Sequence, residues 1–280
     1  MDSVLRGGIT SLLPKLVVDI ARQASSEFSY EPLGWAAPCR SRTTGHRNFE
    51  CGDTITPQEK QWPQIVENIK GTGPLGVSHL PSQNGRENLG AHNTMMSYGY
   101  VLARAARNKQ SLRILDWGSS LGHYYLYSKA LLPELALDYH CYDVPLLCRA
   151  GQSLLPQVHF HEGADQLGGT QFDLVISSSS LHYFQDWRDI AGVLAARTGG
   201  LLYVARLMTV NRVPSFVVRQ SLRRLGYEDV LSWFLNREEM LNCFDRLGME
   251  LVREFIYAED WRVKYAPERG QCRGFLFRPR

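Results

Sequence analysis

The pattern of apolar and polar positions along the chain changes at residue 111. Beyond it, short apolar runs of strand length alternate with stretches in which apolar residues recur at helical spacing. The predicted strands are 113–116, 137–142, 157–161, 172–177 and 200–205, and the predicted helices are 125–132, 146–155, 186–197 and 237–247. Strands that alternate with helices are joined by crossover connections, so we expect a parallel sheet with helices packed against it.

Two further strands are predicted at 250–258 and 272–278. The segment between them is too short for a crossover helix, so they are expected to pair antiparallel. The predicted fold class is therefore α/β, a doubly wound sheet whose C-terminal strand runs antiparallel.

The first 110 residues have a different pattern, in which Gly and Pro interrupt irregular polar stretches. Helices are predicted near residue 15 and over 57–70 and 89–107, the last with a broad apolar face. Because this region lacks the apolar density for a core of its own, residues 1–110 are predicted to form a helical cap on the domain formed by 111–280. An aromatic-rich insertion at 208–236 is predicted to form a lid over the substrate side.

Composition and charge exclude several classes of protein. With 44% hydrophobic and 21% charged residues, the chain is typical of a soluble globular protein. Its net charge of +3 is too small to indicate nucleic-acid binding, and no apolar run reaches the roughly 18–20 residues that span a bilayer. The six cysteines are dispersed without a Cys-x-x-Cys pair, which is typical of a reducing compartment and predicts a cytoplasmic location.

A glycine-containing turn, DWGSSLG at 116–122, follows the first strand of the predicted sheet. Gly118 and Gly122 allow a tight turn and the close approach of a ligand to the next helix. Asp143 stands at the tip of the second strand, where a carboxylate can accept hydrogen bonds from both hydroxyls of a ribose. The spacing differs from the Gly-x-Gly-x-x-Gly of dinucleotide sites, and Asp116 before the first glycine favours a ligand with a cationic amino group.

This segment resembles the first motif of class I S-adenosylmethionine (SAM) methyltransferases, which has the form acid-x-Gly-x-x-x-Gly. The resemblance extends through Asp143 and the strand FDLVI at 172–176, and it implies a Rossmann-like sheet of seven strands. The segments SSSLHYFQDW at 178–187, VPSF at 213–216, NRE at 236–238 and GFLF at 274–277 are similar to a bacterial family of methyltransferase-like proteins. The similarity covers most of the chain, from about residue 88 to the end.

The resemblance also implies which residues hold SAM. Asp116 is expected to contact the methionine amino group, Asp143 the ribose hydroxyls, and the turn after the third strand the adenine. The predicted cofactor-binding residues are Asp116, Trp117, Gly118, Ser119, Gly122, His123, Asp143, Val144, Gly163, Ala164 and Ser178.

Three residues are predicted to be catalytic. His182 and Tyr183 follow the fourth strand at the switch-point edge of the sheet, where they would orient or deprotonate an acceptor. Whether His182 acts as a base or only bonds to the backbone is open at this stage. Tyr98, on the helix before the first strand, would close over the cofactor, because an aromatic ring attracts a nearby cation.

No metal site is predicted. His159 and His161 lie on one face of a strand, but no cysteine or acid in the pattern completes a set of ligands. Cys39, Cys51 and His46 have the spacing of a loop zinc site and lack a fourth ligand.

The leading functional hypothesis is methyl transfer from SAM to a small metabolite or sugar-like acceptor in secondary-metabolite or polysaccharide biosynthesis. An alternative is cyclisation of SAM itself to azetidine-2-carboxylate and methylthioadenosine, since azetidine-2-carboxylate synthases have methyltransferase-like folds. A third hypothesis is a non-catalytic SAM-binding partner of another enzyme. The predicted partners are a small-molecule substrate and, as one possibility, a second copy in a homodimer, with no nucleic acid and no membrane.

Overall fold

A computed structural model describes residues 27–38, 55–76, 89–221 and 229–280 of the chain. The helix predicted near residue 15 and the possible zinc ligands Cys39, His46 and Cys51 lie outside these ranges. The helices are α1 Ile55–Lys70, α2 Leu89–Ala105, α3 His123–Leu131, α4 Pro145–Leu154, α5 Trp187–Arg197 and α6 Arg237–Arg246. The strands are β1 Phe28–Tyr30, β2 Ser111–Trp117, β3 Ala136–Tyr142, β4 His159–His161, β5 Phe172–Ser178, β6 Thr198–Val210, β7 Phe216–Gln220, β8 Val230–Asn236, β9 Met249–Trp261, β10 Val263–Lys264 and β11 Gly270–Pro279.

The main sheet has the strand order β4-β3-β2-β5-β6-β11-β9. Strands β2 to β6 pair parallel to their neighbours, and β11 lies antiparallel between β6 and β9. The predicted Rossmann-like doubly wound fold is confirmed, as is the antiparallel pairing near the C-terminus. The chain builds outward in one direction from β2 and in the other from β5, so the switch point lies between these two strands.

The sheet does not stop at the seven predicted strands. Strand β6 runs on to Val210 and pairs there with β8, and the sheet continues through β7 and β1 to β10. The described part of the chain thus contributes eleven strands to it. The insertion predicted at 208–236 therefore contributes strands to the sheet, and the N-terminal region supplies one strand as well as helices. Strands as short as β1 and β10 are formed by pairing with distant segments. They have too few residues to show a hydrophobic alternation from which a strand could be predicted.

The two faces of the main sheet carry separate apolar cores. On one face, Tyr98 and Leu102 of α2 pack with Ile114 of β2 and with α3. On the other, α5 and α6 pack over β5, β6 and β11 through residues such as Trp187 and Phe244. Helix α2, predicted as part of the cap, thus belongs to the main core. Within the described ranges, no helix is both long enough and apolar enough to cross a membrane.

Candidate active site

The glycine turn after β2 has a backbone that glycine makes possible. Gly118 and Gly122 have φ of +76° and +82°, in the left-handed region. A Cβ at position 118 would lie 2.5 Å from Cβ of Ser180, so there is no room for a side chain. The Gly118 N–H donates to the carbonyl of Tyr142 over 2.8 Å, which fixes the turn against the end of β3.

Asp116 is a buried acid at the end of β2, with 1% of its surface exposed. The hydroxyl of Tyr139 donates to its Oδ2 over 3.2 Å. Burial raises the pKa of Asp116 to about 7, and the negative charge of Asp143 adds to the rise. A cationic group bound beside this carboxyl would therefore favour its ionised form.

Asp143 lies at the end of β3, next to the glycine turn. Its carboxylate accepts the N–H of Ser120 over 2.6 Å and the N–H of Val144 over 2.7 Å. Burial raises the pKa of Asp143 to about 6, although these two hydrogen bonds favour the charged form. Asp143 is thus bonded to the glycine turn and Val144 lies directly before α4, and the contact of both residues with a cofactor stays a prediction.

The other predicted cofactor residues around this edge differ in burial. Trp117 is 2% exposed and stacks on Tyr142 with ring centres 3.9 Å apart, and Ser119 is also buried. His123 is half-buried beside Tyr124. Gly163 and Ala164 begin a single 3₁₀ turn after β4. All lie near the carboxyl ends of β2, β3 and β4, and their contact with a cofactor stays a prediction.

Hydroxyl contacts and ring packing connect β5 to α3 and α2. The Tyr124 hydroxyl and Ser178 Oγ are 2.9 Å apart. Tyr98 packs edge-on to Tyr124 with ring centres 4.8 Å apart, and its hydroxyl lies 2.5 Å from Ser128 Oγ. Tyr98 is fully buried beside Tyr124, and its predicted contact with a cofactor or substrate stays a prediction.

His182 is buried and uncharged. Burial, and next the positive charge of Arg206, lower its pKa to about 3. Among the described residues, its Nδ1 has no hydrogen-bond partner. Its ring packs against Tyr183, whose hydroxyl donates to Gln220 Oε1 over 2.8 Å and whose pKa is raised by burial. The predicted catalytic residues His182 and Tyr183 thus contact each other, and Gln220 of β7 helps to fix the Tyr183 side chain.

Arg206 is a site residue that the sequence analysis missed. It follows Ala205, which pairs with Ser178, so it lies at the carboxyl end of β5. Burial raises the pKa of Tyr124 and Tyr183, and the charge of Arg206 opposes part of that rise, whereas it adds to the effect of burial in lowering the pKa of His182. The available signal was a basic residue directly after the predicted strand 200–205.

Left-handed backbone is concentrated at this edge of the sheet. Ser120, Ser179 and Arg206 have φ of 55°, 54° and 53°. Such conformations are uncommon for residues other than glycine and often occur at functional sites. The edge thus carries two carboxyls on the β2–β3 side and a guanidinium with neutral His182 and tyrosines on the β5–β6 side.

Helix α1 lies against the glycine turn. The Ser120 hydroxyl donates to Oε1 of Gln58, which brings the N-terminal part of the helix over the predicted cofactor site. Gln58 was also missed, because a polar residue on a surface helix carries no signal of its position relative to a distant turn.

Among known proteins, no protein-family model matches the chain, and no curated protein shows significant sequence similarity to it. Similar solved structures include the 1,6-didemethyltoxoflavin-N1-methyltransferase of Burkholderia thailandensis, with 13% identity, a TM-score of 0.47 and coverage of 80% of this chain and 90% of that one. Another is an S-adenosylmethionine-dependent methyltransferase of Clostridium acetobutylicum, with 8% identity, a TM-score of 0.46 and coverage of 79% and 99%. A third is CalS10, an amino pentose methyltransferase of Micromonospora echinaspora, with 14% identity, a TM-score of 0.44 and coverage of 68% and 91%.

Proposed function

We propose that this chain is a SAM-dependent enzyme that transfers a methyl group to a small-molecule acceptor. The observation that carries the proposal is the buried carboxyl of Asp116 beside the left-handed turn at Gly118, with Asp143 at the tip of the adjacent strand. When bound, SAM supplies an electrophilic methyl group on a positively charged sulfur.

The acidic side of the site suits the cationic and hydroxyl groups of SAM. Asp116 would pair with the α-ammonium group, which compensates for the burial of its carboxylate. Asp143 would accept hydrogen bonds from the ribose hydroxyls. Val144, Gly163 and Ala164 would border the adenine, since they follow the carboxyl ends of β3 and β4.

The chemistry of His182 supports alignment of the acceptor over proton abstraction. A pKa of about 3 leaves the imidazole neutral at pH 7 and makes it a weak base. Its buried Nδ1 can accept a hydrogen bond from an acceptor hydroxyl or amine and so direct the nucleophile towards the methyl group. The catalytic contribution of the protein would then come mostly from positioning. Tyr183, held by Gln220, would limit the space in which the acceptor lies.

The proposal is tested by binding first. Calorimetry with S-adenosylhomocysteine should show one site per chain, and Asp116→Asn and Asp143→Asn should each weaken binding at least about tenfold, the scale of a lost charged contact. Unchanged affinity in both variants would remove the cofactor assignment.

The reaction is tested next by incubating the protein with SAM and separating the products by mass spectrometry. Methyl transfer predicts stable SAM until an acceptor is added, and small hydroxyl- or amine-bearing metabolites and sugars from secondary-metabolite and polysaccharide pathways are the candidates. Methylthioadenosine with a new four-carbon amino acid, formed from SAM alone, would instead establish the cyclisation. Tight binding with no turnover across the acceptor panel would favour a non-catalytic SAM-binding partner.

A further inference from the structure

Among the described residues, no helix covers one face of the sheet at β3 and β4. The connection from β4 to β5 contains only the 3₁₀ turn Ala164–Leu167, whereas α3 and α4 cover the opposite face. Parallel strands are usually covered on both faces. The uncovered face carries four side chains with metal-binding chemistry, namely Asp138, His140, His159 and His161.

Strand geometry brings these four side chains together. His159 and His161 are two residues apart on β4, and Asp138 and His140 are two apart on β3, so each pair lies on one side of its strand. His140 is paired with His159 across the strands. The ring of His140 stacks on those of His159 and His161, with centres 4.8 Å and 5.1 Å apart.

The nitrogen and oxygen atoms of the cluster converge. His140 Nε2 lies 2.9 Å from Asp138 Oδ1, and His140 Nδ1 lies 2.9 Å from His161 Nε2. His159 Nε2 is 3.7 Å from the same Asp138 oxygen. Donation of Nε2–H to Asp138 makes Nδ1 of His140 an acceptor, which can take a hydrogen bond from His161 Nε2 or bind a metal ion in its place. A carboxylate that orients a histidine in this way is common around protein-bound metals.

We propose that Asp138, His140, His159 and His161 form a binding site for a divalent transition-metal ion such as Zn²⁺. Possible ligand atoms of Asp138, His140 and His159 lie within 4.8 Å of one another, so side-chain rotation can bring them to metal–ligand distances. Imidazole suits zinc, copper and nickel, and three histidines form a known zinc ligand set.

Arg113 gives the site a charge that opposes metal binding. Its Nε lies 2.6 Å from Asp138 Oδ2, the carboxylate oxygen that does not face His140. A positive charge this close to Asp138 should lower the affinity for a metal cation, whether Asp138 binds the metal itself or orients His140. Removal of Arg113 and removal of a histidine are therefore expected to change metal affinity in opposite directions.

The test is calorimetric titration of ZnCl₂ into the metal-stripped full chain without a polyhistidine tag, with Co²⁺ absorbance as a second readout. We expect one equivalent to bind, with affinity reduced about 10- to 100-fold in His140→Ala and in His161→Ala. Arg113→Gln should tighten binding several-fold, with unchanged circular dichroism in every variant.

Two outcomes would overturn the site. One is Zn²⁺ affinity that stays the same in His140→Ala and His161→Ala. The other is binding that is lost in Cys51→Ser and kept in the histidine variants, which would place the ion at the cysteines of the N-terminal region. Affinity for S-adenosylhomocysteine, measured in parallel, separates this result from the fate of the proposed function.

Discussion

At the scale of single residues, the ionised carboxyl of Asp116 is expected to favour cofactor binding and to lower the stability of the folded chain. Its pKa of about 7 in the folded chain is above the ordinary value of 3.8, so the folded state favours the protonated form. The raised pKa adds to the free energy of unfolding when the pH is below the unfolded pKa, and this contribution is lost as the pH rises through 7. At pH 8 the ionised group costs up to about 4 kcal/mol, since each pKa unit corresponds to about 1.4 kcal/mol.

Asp116→Asn should therefore raise the melting temperature at pH 8 while it weakens cofactor binding. The neutral amide avoids the cost of burying a charge, and its oxygen can still accept from Tyr139. Thermal unfolding and calorimetry on the same samples check both signs. Asp173→Asn, which breaks an exposed pair with Lys109, is the control and should leave affinity unchanged. A lower melting temperature in Asp116→Asn would contradict burial of the carboxylate as the cause of the raised pKa.

The same carboxyl predicts the pH dependence of cofactor affinity. An ammonium group binds the ionised form, so a proton must leave Asp116 when the pH is below 7. We expect the affinity for S-adenosylhomocysteine to fall about tenfold between pH 8 and pH 6, with Asp143 contributing near its pKa of about 6. In Asp116→Asn the slope should be smaller. A flat profile in the unsubstituted chain would show that neither acid changes its protonation on binding.

His182 should remain neutral across the physiological range. Burial and Arg206 hold its pKa near 3, whereas an exposed imidazole titrates near 6.5. Nuclear magnetic resonance titration of the ring protons, assigned with His182→Gln, should show no inflection for His182 between pH 5 and 8. An inflection near pH 6.5 would restore the general-base interpretation.

At the scale of elements, the turn between β2 and α3 depends on an absent side chain. Gly118→Ala places a methyl group against Ser180 and forces alanine to adopt a φ of +76°. We expect a loss of about 1–3 kcal/mol in unfolding free energy and weaker cofactor binding. Adding Ser180→Gly removes the steric contact and leaves the backbone strain, so the double variant should recover part of the loss. Chemical denaturation of both variants measures the two contributions, and no recovery would assign the whole cost to φ.

The strands and helices that could be predicted are those whose own residues show a hydrophobic pattern. The strands and helices from 111 onward follow from apolar runs and helical spacing, and the acid–glycine–acid arrangement follows from their order. The second part of the sheet could not be predicted, since β1 is placed by pairing with β7, which lies far away in sequence. The histidine cluster was missed for a similar reason: Asp138 and His140 meet His159 only through strand pairing.

At the scale of the whole molecule, both parts of the sheet and the N-terminal region meet at one edge. Tyr183 is tied to Gln220 of β7, which in turn donates to Glu27 before β1. On the other side, Gln58 of α1 accepts from Ser120 of the glycine turn. Segments predicted as cap and lid thus contact the candidate site through hydrogen bonds at its two sides, although their role as covers stays a prediction.

If these segments close over a bound cofactor, ligand binding should slow their opening. We expect S-adenosylhomocysteine to reduce amide hydrogen exchange in α1 and in β7 by at least a few-fold, because opening there would break contacts with the occupied site. The internal control is the end of the β9–β11 hairpin formed by Met249–Leu251 and Phe277–Pro279, because it lies towards the amino end of β6, opposite the candidate site. Protection confined to the turns after β2 and β3 would show that α1 and β7 support the site without covering it. Equal protection of the hairpin would indicate a general gain in stability on binding.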